Sequence, residues 1–99
     1  MALVLPARGG SAFGGKTIAY MFTVYILKSK LNNRLYVGYT EDIETRLKSH
    51  NSGKVRSTKA YRPYSLVYKE EFENKTDARK RELFFKSGKG REFIRSFIN

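Results

Sequence analysis

Apolar side chains follow two spacings along this chain, one typical of strands and the other typical of helices. Stretches rich in β-branched and aromatic residues predict three strands, at 22–27 (FTVYIL), 34–37 (RLYV) and 65–72 (SLVYKEEF). Asn32 and Asn33 separate the first two stretches and can supply the positive φ angles of a tight turn. The first two strands are therefore expected to pair as an antiparallel hairpin, with Gly38 ending the second strand.

The third stretch is expected to bury one face of a strand. Leu66, Tyr68 and Phe72 fall in one phase and alternate with polar residues. Glu70 shares that phase, but it lies close to the strand end, and we expect it to be exposed.

A helix is expected directly after the hairpin. Thr40 is a suitable N-cap residue, and the helix should end near Asn51, before a Ser-Gly pair. Residues four apart lie on one stripe of a helix, so Arg46 and His50 are neighbours there. Four polar side chains are then expected to line one cleft: Tyr25, Tyr36, Arg46 and His50.

Helical spacing recurs in two later segments. The segment 77–86 follows Asn74 and Thr76, either of which can cap it, and Gly90 precedes a short helix over 91–98. Four apolar residues of this last helix are expected to pack on the sheet, namely Phe93, Ile94, Phe97 and Ile98.

Glu82 is the unusual residue of the 77–86 helix, because helical spacing places it on the same face as Ala78 and Phe85. A carboxylate turned inward is costly unless a cation or hydrogen bonds compensate it. Spacing alone leaves two interpretations equally open. Glu82 is either the partner of Lys86 in an ion pair one turn apart, or a functional carboxylate facing a cleft.

Residues 1–20 differ in composition from the rest of the chain, with four of the eight glycines and no acidic residue. Such a composition does not favour a packed element, so we expect a flexible N-terminal extension followed by one domain over 21–99. The predicted fold class is α+β, with a small three-stranded antiparallel sheet flanked by about three helices.

Charge changes this picture, because 99 residues carry a formal net charge of +11 and a pI near 10.1. A polyanion is the expected partner, and nucleic acid is the commonest. The loop 52–64 interleaves tyrosines with four cations, Lys54, Arg56, Lys59 and Arg62. Cations neutralise phosphates and tyrosines stack on bases, so we interpret this loop as a contact surface, with Tyr64 more suited to the core. The alternative is a solvated loop.

Composition also excludes several classes of protein. The chain has no cysteine and one histidine, so disulfide frameworks, thiolate zinc sites and multi-histidine metal centres are excluded. No apolar run approaches the ~20 residues of a membrane span, and the N-terminal segment lacks the features of a secretory signal. We therefore expect a cytoplasmic protein that does not bind membranes.

The hairpin and its helix carry a family resemblance. A TVY triplet ends at Tyr25, a YVG triplet starts at Tyr36, and Arg46 and His50 follow one helical turn apart. This arrangement resembles the GIY-YIG nuclease superfamily, in particular its small stand-alone single-domain branch and the amino-terminal nuclease domain of the excinuclease C subunit. The resemblance covers 22 to the end, roughly four fifths of the chain. Thr23 replaces the first glycine of the family name.

The resemblance implies roles for these residues. It makes Glu82 the single protein ligand of a divalent cation, Mg²⁺ or Mn²⁺. It makes Arg46 the group that stabilises the negative charge developing on the phosphate. It implies that Tyr25 or Tyr36, together with His50, orients or deprotonates the attacking water, and leaves open which tyrosine acts. Nearby cations would favour a phenolate, and the reference pKa of an imidazole, about 6.5, suits His50 to general base or acid work. Lys86 is a further candidate for phosphate contact.

The expected function is a metal-dependent endonuclease that hydrolyses phosphodiester bonds in DNA, in a repair or recombination setting, with RNA left open as a substrate. No second domain for reading sequence is recognisable, so a protein partner is expected to supply specificity. The alternative is a catalytically weak or inactive nucleic-acid-binding protein of the same fold. A third interpretation, a basic module for an acidic protein, explains the charge but none of the five site residues.

Overall fold

The computed structural model describes residues 3–8, as backbone, and residues 21–98. Within these ranges the chain forms the following elements, in order: β1 (Leu3–Arg8), β2 (Phe22–Ser29), β3 (Leu35–Thr40), α1 (Ile43–Asn51), a 3-10 turn (Lys59–Tyr61), β4 (Tyr64–Phe72), α2 (Lys75–Phe85) and α3 (Gly88–Arg95). None of the helices in the described part of the chain is both long and apolar enough to span a membrane.

The sheet has the order β1-β4-β2-β3. β2 is antiparallel to both β3 and β4, so the predicted three-stranded antiparallel sheet and the α+β class are confirmed. The predicted hairpin is also confirmed: Asn33 has a φ of 63°, the left-handed conformation that asparagine tolerates in tight turns.

The fourth strand was not expected. Leu3–Arg8 lies parallel to β4 and pairs Leu3 with Tyr68 and Leu5 with Glu70. The edge of β4 offers unpaired backbone groups, and the short apolar run of β1 satisfies them. The prediction that residues 1–20 form no element is therefore wrong for this strand, while 9–20 lie outside the described residues. The division into an extension and a domain stays a prediction.

Both faces of β2 are buried, which explains its nearly continuous apolar sequence. Val24 and Ile26 point to one face and pack with Phe85 of α2 and Ile94 of α3. The opposite face carries three large buried side chains, Tyr25, Leu27 and Tyr64. Ile43 and Leu47 of α1 cover this second face. The sheet is thus sandwiched, with α1 on one side and the α2–α3 pair on the other.

β4 departs from the predicted single buried face. Ile26 pairs with Tyr68 and the next residue, Leu27, pairs with Leu66, so β4 contains one extra residue at a bulge. The bulge sends Leu66 to the α1 side and Tyr68 to the α2–α3 side. Sequence alternation cannot detect such a shift of phase.

Glu70 is buried, with 3% of its surface exposed, and the prediction that it is exposed is wrong. Its carboxylate accepts hydrogen bonds from the Tyr68 hydroxyl at 2.6 Å and from Arg81 Nε at 2.9 Å. A second Arg81 donor completes a bidentate pair at 3.1 Å. Burial of the carboxylate is tolerated because all three contacts supply hydrogen-bond donors to its oxygens.

The N-termini of α1 and α2 test the predicted cap residues. Asn74 caps α2 by accepting a hydrogen bond from the Asp77 backbone N–H, as one of the two predicted alternatives. Asp42, and not Thr40, caps α1, because its carboxylate accepts from the Thr45 N–H. The Thr40 hydroxyl instead accepts a hydrogen bond from the Asp42 backbone N–H, just before the helix begins.

The last helix begins earlier than predicted. Ser87 caps α3, so Gly90 lies inside the helix and not before it. A Cβ at Gly90 would overlap the Phe84 carbonyl, which means that only glycine allows this close packing of α3 on α2. Ile94 is buried as expected, but Phe93 and Phe97 are 40% and 37% exposed and only partly cover the core.

Candidate active site

Three elements bring four of the predicted site residues together. Tyr25 on β2 lies opposite Gly38 of β3, and Tyr36 is two residues from Gly38 and therefore on the same face. α1 covers that face, so the ring centroids of Tyr36 and His50 lie 4.8 Å apart and those of Tyr25 and Tyr36 lie 6.2 Å apart. The predicted cluster is thus formed, although its members differ in exposure.

A directed chain of hydrogen bonds runs through the cluster. Arg46 Nε lies 3.5 Å from the Tyr25 hydroxyl, which lies 3.0 Å from His50 Nε2. His50 Nδ1 lies 2.8 Å from the Thr58 hydroxyl, which donates to the Val55 carbonyl at 3.3 Å. Because the Thr58 proton is used on that carbonyl, Thr58 accepts from His50 Nδ1–H. His50 Nε2 is then an acceptor, Tyr25 donates to it, and Tyr25 accepts from Arg46.

Burial opposes the charged forms of the two central groups. Burial raises the pKa of Tyr25 to about 12, and this effect exceeds the lowering by the Arg46 hydrogen bond. Burial, helped by the positive charge of Arg46, lowers the pKa of His50 to about 4. Tyr25 is therefore a neutral phenol and His50 a neutral imidazole at pH 7. Arg46 favours the Tyr25 phenolate, as expected, but burial outweighs this effect, and the pKa of His50 lies below the reference value of about 6.5 that suits general base or acid work.

The outer members of the cluster are more accessible. Arg46 is exposed and Tyr36 is half-buried, whereas Tyr25 and His50 are 1% and 0% exposed. Hydrogen bonding to Tyr25 raises the pKa of the Arg46 guanidinium further, so it is charged at every physiological pH. Tyr36 also interacts with the guanidinium and contributes to the same rise in its pKa.

Gly38 is a steric requirement of the cluster. It lies inside β3 and does not end the strand as predicted, since β3 continues to Thr40. A Cβ at this position would lie 2.6 Å from the Tyr25 hydroxyl oxygen and 3.2 Å from Tyr36 Cε2. Glycine thus leaves the room in which the Tyr25 hydroxyl reaches His50.

Glu82 is turned inward from α2, as predicted, and is 8% exposed. Oε2 accepts from Lys86 Nζ at 2.9 Å, and Oε1 lies 3.8 Å from Arg79 Nε. The ion pair with Lys86, one of the two interpretations of the sequence, is thus present. The charge of Glu82 is also near enough to contribute to the raised pKa of Tyr25, as the smallest of its causes.

One oxygen of the Glu82 carboxylate is suited to bind a divalent cation. Oε1 is buried and has no hydrogen-bond partner among the described residues. Such an oxygen is costly to bury without a partner, and a hard cation would satisfy it. Among those residues no three His, Cys, Asp or Glu side chains cluster as a metal cage. A cation held here would therefore have Glu82 as its protein ligand and take other oxygens from water and phosphate.

The predicted nucleic-acid contacts divide between two surfaces. Arg56, Lys59 and Arg62 are exposed and border one open depression, and Lys54 is exposed nearby in the chain. Lys86 instead borders a cavity beside β3. Tyr64 is buried, as expected for a core residue.

Sequence reasoning missed two polar residues that hold the site. Thr58 is the acceptor for His50, and Asn51 fixes the end of α1 by a pair of hydrogen bonds to the Tyr64 backbone, at 2.7 and 3.1 Å. The position of Asn51 beside His50 was a usable signal. Thr58 lies in an irregular loop whose spacing carries no information on its partner.

The architecture and the cluster define a class of protein. Residues 21–93 match the family model described as the GIY-YIG catalytic domain, and the chain belongs to this family. Within it the chain is similar to a group of small proteins that carry the name UPF0213. A UPF0213 protein of Staphylococcus haemolyticus is 48% identical over 65 residues, which cover 65% of this chain and 78% of the relative.

Other UPF0213 proteins are similar to a comparable extent. The YazA protein of Bacillus subtilis is 43% identical over 63 residues, which make up 63% of each chain. A solution NMR structure of a UPF0213 protein from Bacillus halodurans aligns with a TM-score of 0.49 at 35% identity, covering 77% of this chain and 83% of the other.

Proposed function

We propose that this protein is a divalent-metal-dependent endonuclease that hydrolyses phosphodiester bonds in DNA. The observation that carries the proposal is an exposed guanidinium beside two tyrosines, together with an inward carboxylate on α2 that has one oxygen without a hydrogen-bond partner among the described residues, on a chain of net charge +11. This combination of groups is not required for the stability of the fold. Phosphoryl transfer, in contrast, uses a guanidinium, a hydroxyl and a carboxylate together.

Arg46 and Tyr36 are proposed to face the substrate. Arg46 is exposed, and its terminal nitrogens can bind two oxygens of the scissile phosphate as negative charge develops there. Tyr36 is the more accessible tyrosine and would orient the attacking water with its hydroxyl. Attack by the water oxygen forms one P–O bond, and the bond to the leaving oxygen breaks.

Tyr25 and His50 are proposed to act behind these groups as positioning residues. Tyr25 accepts from Arg46 Nε and is itself fixed by His50, which Thr58 holds in one tautomer. This arrangement limits the rotation of the guanidinium before substrate binds, so less entropy is lost when the phosphate is bound.

Glu82 is proposed to bind the cation, Mg²⁺ or Mn²⁺, through Oε1. When bound, the ion would polarise the scissile phosphate and stabilise charge on the leaving oxygen. Glu82 has two cationic neighbours, Arg79 and Lys86, which would become available to phosphates if the ion replaced them at the carboxylate.

The second candidate function is a nucleic-acid-binding protein with weak or no turnover. One observation favours it: neither Tyr25 nor His50 has a pKa near 7, so neither is suited to exchange a proton at neutral pH. In that case Lys86 would remain the permanent partner of Glu82. DNA repair as a setting, a cytoplasmic location and a partner that supplies specificity are proposals that follow from the nuclease function.

The test is a cleavage assay on supercoiled plasmid and on branched and single-stranded oligonucleotides, with Mg²⁺, Mn²⁺ or EDTA. We expect cutting that requires the metal and that slows at least about 100-fold in Arg46→Ala, with DNA affinity changed less than about tenfold, since the guanidinium acts mainly on developing charge. Lys48→Ala on the exposed side of α1 is the matched control. Tight binding without cutting on any substrate would favour the second candidate.

A separate binding assay tests the basic loop. Replacing Lys54, Arg56 and Lys59 by alanine should reduce the slope of log affinity against log salt on duplex DNA by up to about 2.7, because each phosphate contact contributes about 0.9. An unchanged slope would mean that these three cations do not contact DNA.

A further inference from the structure

A cavity of about 600 Å³ lies between β3 and the α2–α3 pair. Its buried lining is apolar and comes from all three elements, through Val37, Phe85 and Ile94. Leu35, 40% exposed, and the half-buried Tyr36 complete the β3 side. The volume lies within the usual range of sites for small ligands, about 300–1,000 Å³.

Cations surround this apolar lining. Arg91 and Arg95 are both exposed on α3, one helical turn apart, and Arg34 and Lys86 also line the cavity. Lys86 is paired with Glu82 and Arg34 lies over the Tyr61 ring at 4.8 Å. Arg91 and Arg95 have no ion pair with any side chain that the structure describes, and no described residue of the lining is acidic.

We propose that this cavity, which we call the β3–α3 pocket, binds one unpaired nucleotide of the substrate, with the base on the apolar lining and the flanking phosphates on Arg91 and Arg95. The proposal rests on the proposed function and adds to it a substrate class: DNA with a single-stranded segment. Tyr36 joins the two sites, because it belongs both to the cluster around His50 and to the pocket.

The chemistry of the pocket selects an unpaired nucleotide over other polyanions. Inorganic phosphate or an acidic peptide would satisfy the arginines and leave the apolar lining exposed to water. A base in a duplex offers only its groove edge, whereas an unpaired base can place its π-face against the apolar lining of the pocket. Only a base with its own phosphates matches both parts of the pocket.

Two pairs of variants separate the parts of the pocket. Arg91→Ala with Arg95→Ala removes both phosphate contacts, and Lys75→Ala with Lys80→Ala removes the same charge from exposed positions of α2 that do not line the pocket. Leu35→Gln makes the base surface polar without changing its charge. Leu83→Gln is its control, because Leu83 is 52% exposed and lies outside the pocket.

Affinity is measured by fluorescence anisotropy in EDTA with three probes of one length: a thymidine single strand, the same strand with abasic sites at its centre, and a duplex. The double arginine variant should bind the single strand at least tenfold more weakly, with a salt slope lower by about 1.4, at about 0.7 per phosphate. Leu35→Gln should weaken binding of the thymidine strand about fivefold and leave the abasic strand unchanged. Neither variant should differ from its control on the duplex.

The outcomes distinguish this proposal from the proposed function. If the pocket variants and their controls change the affinity for all three probes by the same factor, the pocket proposal is wrong and the nuclease proposal is unaffected. Loss on the duplex equal to that on the single strand would also overturn it, because the arginines would then be general phosphate contacts. If the unmodified protein binds none of the probes and cuts no DNA, the proposed function itself fails.

Discussion

Gly38 offers the sharpest test of how the cluster is held. The backbone of Gly38 lies in an ordinary strand conformation, so alanine adds a methyl group and no backbone strain. That methyl carbon would lie 2.6 Å from the Tyr25 hydroxyl oxygen and 2.9 Å from Cζ, closer than carbon and oxygen atoms approach without overlap. Tyr25 is 1% exposed and bonded to His50, so it has no free space into which to move.

The expected cost has two parts. Overpacking in a filled site costs about 1–3 kcal/mol. Displacing the hydroxyl by more than about 0.5 Å also breaks its 3.0 Å hydrogen bond and leaves His50 Nε2 buried and unpaired, at about 1–3 kcal/mol. We therefore expect Gly38→Ala to lower the free energy of unfolding by about 2–6 kcal/mol.

Urea unfolding followed by circular dichroism measures this loss. Gly88→Ala is the control, because a Cβ there meets no atom within 4 Å and the residue lies in the first turn of α3, where alanine should be neutral or slightly stabilising. In a Tyr25→Phe background the cost of Gly38→Ala should shrink, since the closest atom is gone. A Gly38→Ala protein as stable as the parent would refute the steric argument.

Two further predictions concern buried charge. His50 is the only histidine, and its pKa falls from about 6.5 unfolded to about 4 folded, so the unfolded chain binds the extra proton between these values. The neutral imidazole therefore contributes up to about 3 kcal/mol to the free energy of unfolding, fully above pH 6.5 and progressively less as the pH falls towards 4. Unfolding measured at pH 7 and at pH 5 should show this loss of stability in the parent and not in His50→Gln. Equal losses in the two proteins would contradict the prediction. Arg81→Met should cost about 3–5 kcal/mol in urea unfolding, because Glu70 would remain buried without its bidentate partner, while Lys80→Met should change stability by less than about 0.5 kcal/mol. An Arg81→Met protein as stable as the Lys80→Met control would contradict this.

Local patterns account for what could be predicted from the sequence. The hairpin follows from alternation and from an Asn-Asn turn, and the end of α1 at Asn51 follows from a Ser-Gly pair. The resemblance to GIY-YIG nucleases located Tyr25, Tyr36, Arg46 and His50, which do lie together, because a strand pair and the helix that covers it are adjacent in the chain. Their catalytic roles stay a proposal.

The missed features depend on contacts between distant segments. β1 pairs with β4 some sixty residues later, as with Leu3 and Tyr68, and its composition indicates no partner. The bulge in β4 changes the phase of its buried positions, and the Arg81 that makes burial of Glu70 tolerable lies on another element. Burial is the largest cause of both pKa shifts, and it outweighs the Arg46 charge at Tyr25 and acts in the same direction as that charge at His50.

The central claim is that Glu82 serves chemistry and not only an ion pair. It is tested most directly by the single-turnover cleavage rate of Glu82→Gln at saturating DNA and Mg²⁺, beside the exposed control Glu73→Gln. The account predicts a rate at least about 100-fold below the parent, with unchanged DNA affinity and normal cleavage by the control, because the amide keeps the shape and loses the charge that binds the cation. A Glu82→Gln protein that cuts as fast as the parent would contradict it.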